Sequence, residues 1–410
     1  VNGGRWELPL WQALLPVGRD PVTGGYHRLS FTEADAACRD WFARAAADRG
    51  LRAETDRNGN LWAWWTPRDG GGEQAIVTGS HLDSVPGGGP YDGPLGVVSA
   101  FAAIDLLRDR GLEPARPLGV VAFAEEEGAR FGSACLGSRL TVGAIAPQEA
   151  RALTDADGVT LAAAIAEAGG DPGMIGPDPE RLARIEAFIE LHIEQGRALA
   201  RLGAPVGVAG AIWPHGRWRI DLAGQADHAG TTRLADRRDP MLPFAAAVVA
   251  ARQAAQDEDG LATIGKVVAQ PGAVNAICSS VSAWLDARAR DEARLERIVS
   301  RVLRAAAESA ASQGVQSSER LDSFTPGVRF SDGLRARLAA TLARAGTVPP
   351  VLDTGAGHDA GVLAAAVPAA MLFVRNPSGI SHAPAEHADP QDCAAGVDAL
   401  AAVLAELACR

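Results

Sequence analysis

Residues Ala75-Ile76-Val77-Thr78-Gly79 form a short apolar run closed by glycine, the signature of a buried strand. A helical stretch from about Leu95 to Arg110 follows, and then a second buried strand, Leu118 to Phe123. Strand, helix and strand in short order predict a parallel α/β sheet. Upstream, Phe31 to Ala47 reads as a helix opened by Thr32 as N-cap, with Asp35 three residues on. Leu61 to Trp65, beside Asn58-Gly59, reads as one arm of a hairpin. Downstream, Phe188 to Ile193 adds a strand. The pattern changes after about Gly207: Arg217 to Leu222 alternates polar and apolar residues, a helix is expected over Pro243 to Gln256, and Thr263 to Ala269 and Val281 to Ala287 look half-buried. Leu295, Ile298, Val299, Val302 and Leu303 then recur at helical spacing. The α/β pattern returns near Val328 and gives its last clear strand at Ala369 to Val374, entered through Pro368. The expectation is an α/β fold whose larger domain, with a mostly parallel sheet, is built from residues 1–208 and 326–410, with a smaller α+β domain inserted at 209–325.

Composition sets the outer limits. A chain of 410 residues exceeds one ordinary core. Its net charge of −11 argues against a nucleic-acid binder, which carries a basic footprint. An anionic substrate stays open, because one arginine can hold a carboxylate inside an acidic protein. Lys266 is the single lysine, so lysine chemistry has one candidate. The five cysteines (Cys38, Cys135, Cys278, Cys393 and Cys409) are odd in number and widely spread, which predicts reduced thiols and a cytoplasmic home. The leading segment Val1 to Trp6 lacks the apolar run of a signal peptide and an initiator methionine, as a trimmed terminus would. No apolar stretch is long enough to suggest a membrane span.

Five segments offer metal-ligand residue types at or just beyond an expected strand, where parallel sheets bind ligands. Gly79-Ser80-His81-Leu82-Asp83-Ser84 holds a histidine with a carboxylate two residues on that could fix its ring. In Gly87-Gly88-Gly89-Pro90-Tyr91-Asp92-Gly93, Asp92 is either a helix cap or a carboxylate able to bridge two cations. Glu125-Glu126-Glu127 repel one another unless cations or protons compensate, or else form a solvated acidic turn. His192 sits on the apolar strand of Glu190-Leu191-His192-Ile193-Glu194-Gln195, where a satisfied core histidine is the common alternative. His382 lies in the Gly/Pro-rich loop Gly379 to His387. Together they supply three histidines, a bridging aspartate, a ligating glutamate and a spare glutamate, a full set for two divalent ions sharing an activated water. The absence of cysteine from the set favours zinc, manganese, cobalt or nickel.

These motifs resemble the amidase branch of the aminoacylase and carboxypeptidase-like two-metal hydrolases, which includes allantoate amidohydrolase, N-carbamoyl-L-amino-acid hydrolase and β-ureidopropionase. The resemblance runs from about Gly25 to about Leu407. It implies an aminopeptidase-like catalytic domain, with the inserted domain serving as lid and dimerisation unit of a homodimer. It also implies that Asp92 bridges two metals, that His81 pairs with His192 on one and Glu127 with His382 on the other, that Glu126 is the general base, and that Asp83 orients His81. In Gln225-Ala226-Asp227-His228-Ala229-Gly230-Thr231-Thr232 it gives His228 the tetrahedral oxyanion. Asn275 would hold the substrate, Arg288 would clamp its carboxylate, and Gln195 and His358 would belong to the substrate shell. Each has a plainer alternative: Arg288 as one more surface arginine, His228 as a turn cap, His358 as a residue at a helix N-terminus. Two departures, Arg233-Leu234 where Pro-Met is usual and Tyr91 where Phe is usual, bear on the substrate and leave the ligands intact.

The activity implied is metal-dependent cleavage of the ureido C–N bond of a small carboxylate, allantoate or an N-carbamoyl-L-amino acid, releasing ammonia and carbon dioxide. An N-formyl or N-acyl amino-acid deacylase or a dipeptidase would use the same metals. A serine amidase lacks support, with no G-x-S-x-G and no S-x-x-K at Lys266. A catalytically dead binding module would be expected to have lost a ligand or the base.

Overall fold

The computed structural model describes residues 9–68 and 74–409, so the leading segment read for a targeting signal lies outside the described residues. The chain forms two compact units, one from residues 1–210 and 329–410, the other from 211–328.

The first unit is built on a mixed sheet. Its strands are β1 (Arg52–Thr55), β2 (Leu61–Trp65), β3 (Ala75–His81), β4 (Leu118–Phe123), β5 (Ile185–Ile193) and β6 (Val206–Ile212). The second unit supplies β7 (His215–Ala223), β8 (Asp227–His228), β9 (Leu261–Gln270), β10 (Ala276–Ile277), β11 (Ser280–Arg288) and β12 (Gln316–Thr325). The returning chain adds β13 (Val328–Arg329), β14 (Val351–Thr354) and β15 (Ala369–Val374). The order in the large sheet is β1-β2-β4-β3-β5-β15-β6-β13, with β14 also on β6. Its centre, β4-β3-β5-β15, is parallel, while β2 and β6 join antiparallel. The central strands are buried along nearly their whole length, which is why they read as apolar runs without alternation.

Helices cover the sheet. Pro94–Asp109 is buried on almost every side, and with Glu33–Asp48, Asp332–Arg344 and Pro390–Ala408 it packs into one core with β2, β3, β5 and β15. A smaller core gathers Phe131, Leu136, Leu140, Leu161 and Ile165. Close approach fixes two glycines: a Cβ on Gly79 would collide with the Val121 carbonyl, and one on Gly96 with that of Leu191.

The second unit carries an antiparallel sheet, β12-β7-β11-β9, under helices Met241–Asp257 and Glu292–Ser312. Strand β11 alternates buried and half-buried residues, the pattern of a sheet with one covered face. Strand β12 is exposed throughout and was not legible from its polar sequence. Another local expectation changes: Thr32 stands at the N-cap of Glu33–Asp48 but its side chain caps nothing. Its hydroxyl donates to the Leu29 carbonyl, and the Asp35 carboxylate accepts from the Phe31 amide at 2.8 Å instead.

Candidate metal centre

The five segments converge at the carboxyl ends of the parallel strands. His81 ends β3, His192 lies near the end of β5, and Glu125-Glu126-Glu127 follow β4. The Asp92 loop opens helix Pro94–Asp109, and the His382 loop follows β15. Asp92 is no helix cap: Gly93 takes the cap position without side-chain help. The Asp92 carboxylate instead divides two sets of donors. Its Oδ1 lies 3.1 Å from His192 Nε2 and 3.6 Å from His81 Nε2, and its Oδ2 lies 3.3 Å from His382 Nε2. His382 Nε2 is in turn 3.5 Å from Glu127 Oε2. Two triads result, His81–Asp92–His192 and Asp92–Glu127–His382, each with its donor atoms within 4.8 Å of one another.

The residues fit divalent cations. His81 and His192 engage main-chain carbonyls through Nδ1, at 3.1 Å to Asp83 and 2.9 Å to Ile193, so both Nε2 atoms face Asp92 as ligand histidines do. His192 Nε2 is buried and, although close to Asp92, is not aligned to hydrogen bond with it. On the second triad a single amide nitrogen, Gln195 Nε2, stands where acceptors meet, 2.7 Å from Asp92 Oδ2 and 3.2 Å from His382 Nε2. A third group, Glu190–His192–His358, also clusters. It shares His192 with the first triad, and the Glu190 oxygens are taken by Ser80 Oγ at 2.7 Å and the Ala360 amide at 2.8 Å.

The electrostatics point the same way. Burial pushes the Glu127 carboxyl up to about 7, with Asp92 adding to the effect. Burial also drives Glu126 well above the usual carboxylate range, assisted by Asp359, Glu127 and Asp83 and opposed by His81. Asp92 goes the other way: burial works against its charge, but the close imidazoles of His192, His382 and His81 hold it well below the usual range. Burial opposes a proton on His81, yet Glu126, Asp83 and Asp92 raise its pKa well above normal. His358, desolvated and beside His192, is held well below normal. Asp92, Glu126 and Glu127 crowd their negative charge into a buried site beside His81, His192 and His382, and a divalent cation would supply compensating positive charge.

The expected site residues take distinct places. Asp83 reaches His81 mainly through its main-chain carbonyl; its carboxylate accepts from the Glu126 and Glu127 amides at 3.3 and 3.1 Å. The three glutamates separate by partner. Glu125, at φ 55°, accepts from the Arg130 and Phe131 amides at 2.8 and 2.7 Å and so braces its own loop. Glu126 points Oε1 at the Cys135 thiol, 3.2 Å away, and Oε2 toward His81 Nε2 at 3.7 Å. His382 holds a strained φ of 56°, a conformation found where function demands it. A Cβ on Gly93 would collide with the His81 ring. His358 is the N-cap residue of the short helix Asp359–Leu363, with its ring 4.5 Å from that of His192 and its buried Nε2 unpartnered.

In the second unit His228 and Asn275 are brought together: β8 pairs with β10, and the Ala229 amide donates to the Asn275 carbonyl at 3.0 Å. His228 does sit in a turn, its Nδ1 accepting from the Gly230 amide at 3.1 Å. Arg288 is engaged by Asp286, two residues away on the same face of β11, at 2.9 and 3.2 Å. Sequence reasoning passed over Cys135, Glu190, Asp286 and Glu386, whose partners lie elsewhere in the chain or whose residue types signal nothing alone.

Fold and site together define an α/β protein whose parallel strands end at a cluster suited to divalent metal. The profile of peptidase family M20/M25/M40 matches residues 77–406, and the chain belongs to that family. Its hydrolases use divalent metal ions. The chain is 36% identical over 402 residues to N-carbamoyl-L-amino acid amidohydrolase of Geobacillus stearothermophilus, covering 95% of this chain and 96% of that protein. It is 34% identical to allantoate amidohydrolase of Escherichia coli (strain K12), covering 95% of each. A hydantoinase/carbamoylase family amidase from Burkholderia multivorans superposes with a TM-score of 0.87 at 31% identity, covering 98% of this chain and 97% of that one. The amidohydrolase class and the mostly parallel α/β architecture expected from the sequence stand on these findings.

Proposed function

We propose that the chain is a two-cation amidohydrolase that cleaves the ureido C–N bond of a small carboxylate, allantoate or an N-carbamoyl-L-amino acid, with release of ammonia and carbon dioxide. The observation that carries this is the division of Asp92 between two donor triads. The names of the relatives supply the substrate class. His81, Asp92 and His192 would hold one ion, and Asp92, Glu127 and His382 the other; zinc, manganese, cobalt and nickel all suit this donor set. Bound there, divalent ions polarise a carbonyl and acidify water.

The chain's own groups do the remaining work. Glu126 has Oε1 occupied by Cys135, so Oε2 takes the water proton as oxygen adds to the carbonyl carbon. Glu126 then delivers that proton to the leaving nitrogen as the C–N bond breaks, and the carbamic acid so formed decomposes to ammonia and carbon dioxide. Asp83 fixes the main chain beneath Glu126 and Glu127. We assign His228 to the oxyanion, Arg288 to the substrate carboxylate, and Gln195, Asn275 and His358 to the rest of the substrate. The five free cysteines suit a reducing compartment, and we assign the chain to the cytoplasm. No helix among the described residues is long and apolar enough to cross a membrane.

Manganese titration of the metal-free protein tests the assignment. Two ions per chain are expected, with Asp92→Ala weakening both and His382→Ala losing one. A single ion in the unaltered protein, or full occupancy in Asp92→Ala, would contradict it.

A further inference from the structure

Glu386 is buried, and sequence reasoning gave it no role. One of its oxygens, Oε2, accepts from two consecutive amides, Tyr91 N at 2.9 Å and Asp92 N at 3.0 Å. The other, Oε1, is buried without a hydrogen-bond partner. The carboxylate lies against Gly89, where any Cβ would collide with it. Glu386 therefore joins two segments nearly 300 residues apart in sequence: its own loop, which carries His382, and the loop that carries Asp92.

The Asp92 loop needs such an anchor. Gly87-Gly88-Gly89 lose more conformational freedom on ordering than any other residues would. Tyr26 fixes the first part, accepting from the Gly87 amide at 2.8 Å and donating to the Gly88 carbonyl at 3.0 Å. Glu386 is the corresponding anchor at the second part. Its own loop is equally constrained, since His382 holds a left-handed backbone and Asn376 Oδ1 accepts from the Ser378 and Gly379 amides at 3.1 and 2.8 Å. A helix-cap role does not account for the contact. The amides held belong to residues preceding the Gly93 cap, outside the first turn whose free N–H groups a cap satisfies.

We propose that Glu386 is a positioning residue that clamps the Asp92 loop to the His382 loop and so sets the spacing of the Asp92–Glu127–His382 cation site. It rests on the two-cation function proposed above. Because Oε2 alone accepts both amides, a glutamine carbonyl can replace it, whereas alanine cannot. Gly89→Ala attacks the clamp from the other side: Gly89 lies outside the left-handed region, so alanine fits its backbone but displaces the carboxylate.

The test is calorimetric manganese titration of the metal-free full chain, with the melting temperature of each metal-free variant measured alongside. Glu386→Ala and Gly89→Ala should weaken the ion at the Glu127–His382 side by about 10–100-fold, the range for lost support of metal ligands. The ion at His81 and His192 should remain, and Glu386→Gln should bind nearly as the unaltered protein does. A cap would instead lower melting temperature and leave the affinities unchanged. Folded Glu386→Ala with unaltered affinity at both sites overturns the clamp; if that variant does not fold, unaltered affinity in Gly89→Ala does so. An unaltered protein that binds no manganese refutes the two-cation function itself, and the clamp with it.

Discussion

The two oxygens of Glu126 have different neighbours, Cys135 on one and the His81 side on the other, and that asymmetry suits a general base. Glu126→Gln keeps the shape and loses the ability to take a proton. It should bind both ions yet lose turnover by about 10²–10⁴-fold, the usual contribution of general acid–base catalysis. Steady-state kinetics on the metal-loaded variant checks this, and full activity would remove Glu126 from the role. At this scale the sequence was most legible where several ligand residue types recur at strand ends, since no one of them signals metal chemistry alone. His81, Asp92, His192 and His382 stood beside strand ends and glycines. Which glutamate does what was not legible from spacing: Glu125, Glu126 and Glu127 are adjacent, and only their partners, the Arg130 amide, Cys135 and His382, separate them. Glu386 and Cys135 were missed for the same reason, since a buried acceptor or a thiol contact depends on a residue distant along the chain.

Strands and loops set what each side chain can reach. On β11, Asp286 and Arg288 lie two residues apart and so share one face of the sheet. Their bidentate pairing, 2.9 and 3.2 Å, holds the guanidinium in a fixed orientation, with Nε and Nη2 both engaged by the Asp286 carboxylate. Arg288→Ala should raise the Michaelis constant by about tenfold or more, as loss of a charge-assisted pair does, with a smaller effect on turnover. An unchanged constant would mean that the carboxylate is held elsewhere. Elements were readable where burial imposed a pattern. Strand β15 runs over Ala369–Val374 as expected, and β3 extends the expected run by two residues to His81. Strand β12 gave no such pattern because every residue is exposed, and its edge position rests on hydrogen bonds to β7 that composition does not encode.

At the scale of the molecule, one unit holds the candidate metal centre and the other carries His228, Asn275 and Arg288, the residues proposed to meet the substrate. We propose that the second unit also mediates a homodimer. Its ten-residue edge strand β9 exposes Val267 and Val268, and helix Met241–Asp257 exposes Leu242 and Val249, apolar surface of the kind that marks an interface. Sedimentation should give twice the chain mass, and a monomer at micromolar concentration would rule the dimer out. The central claim is chemical, and ammonia release from allantoate and a panel of N-carbamoyl-L-amino acids by the manganese-loaded protein tests it most directly. Release from at least one of them, abolished by a chelator and restored by manganese, is the predicted result. No ammonia from any of them, with both ions bound, would contradict ureido hydrolysis as the activity of this chain.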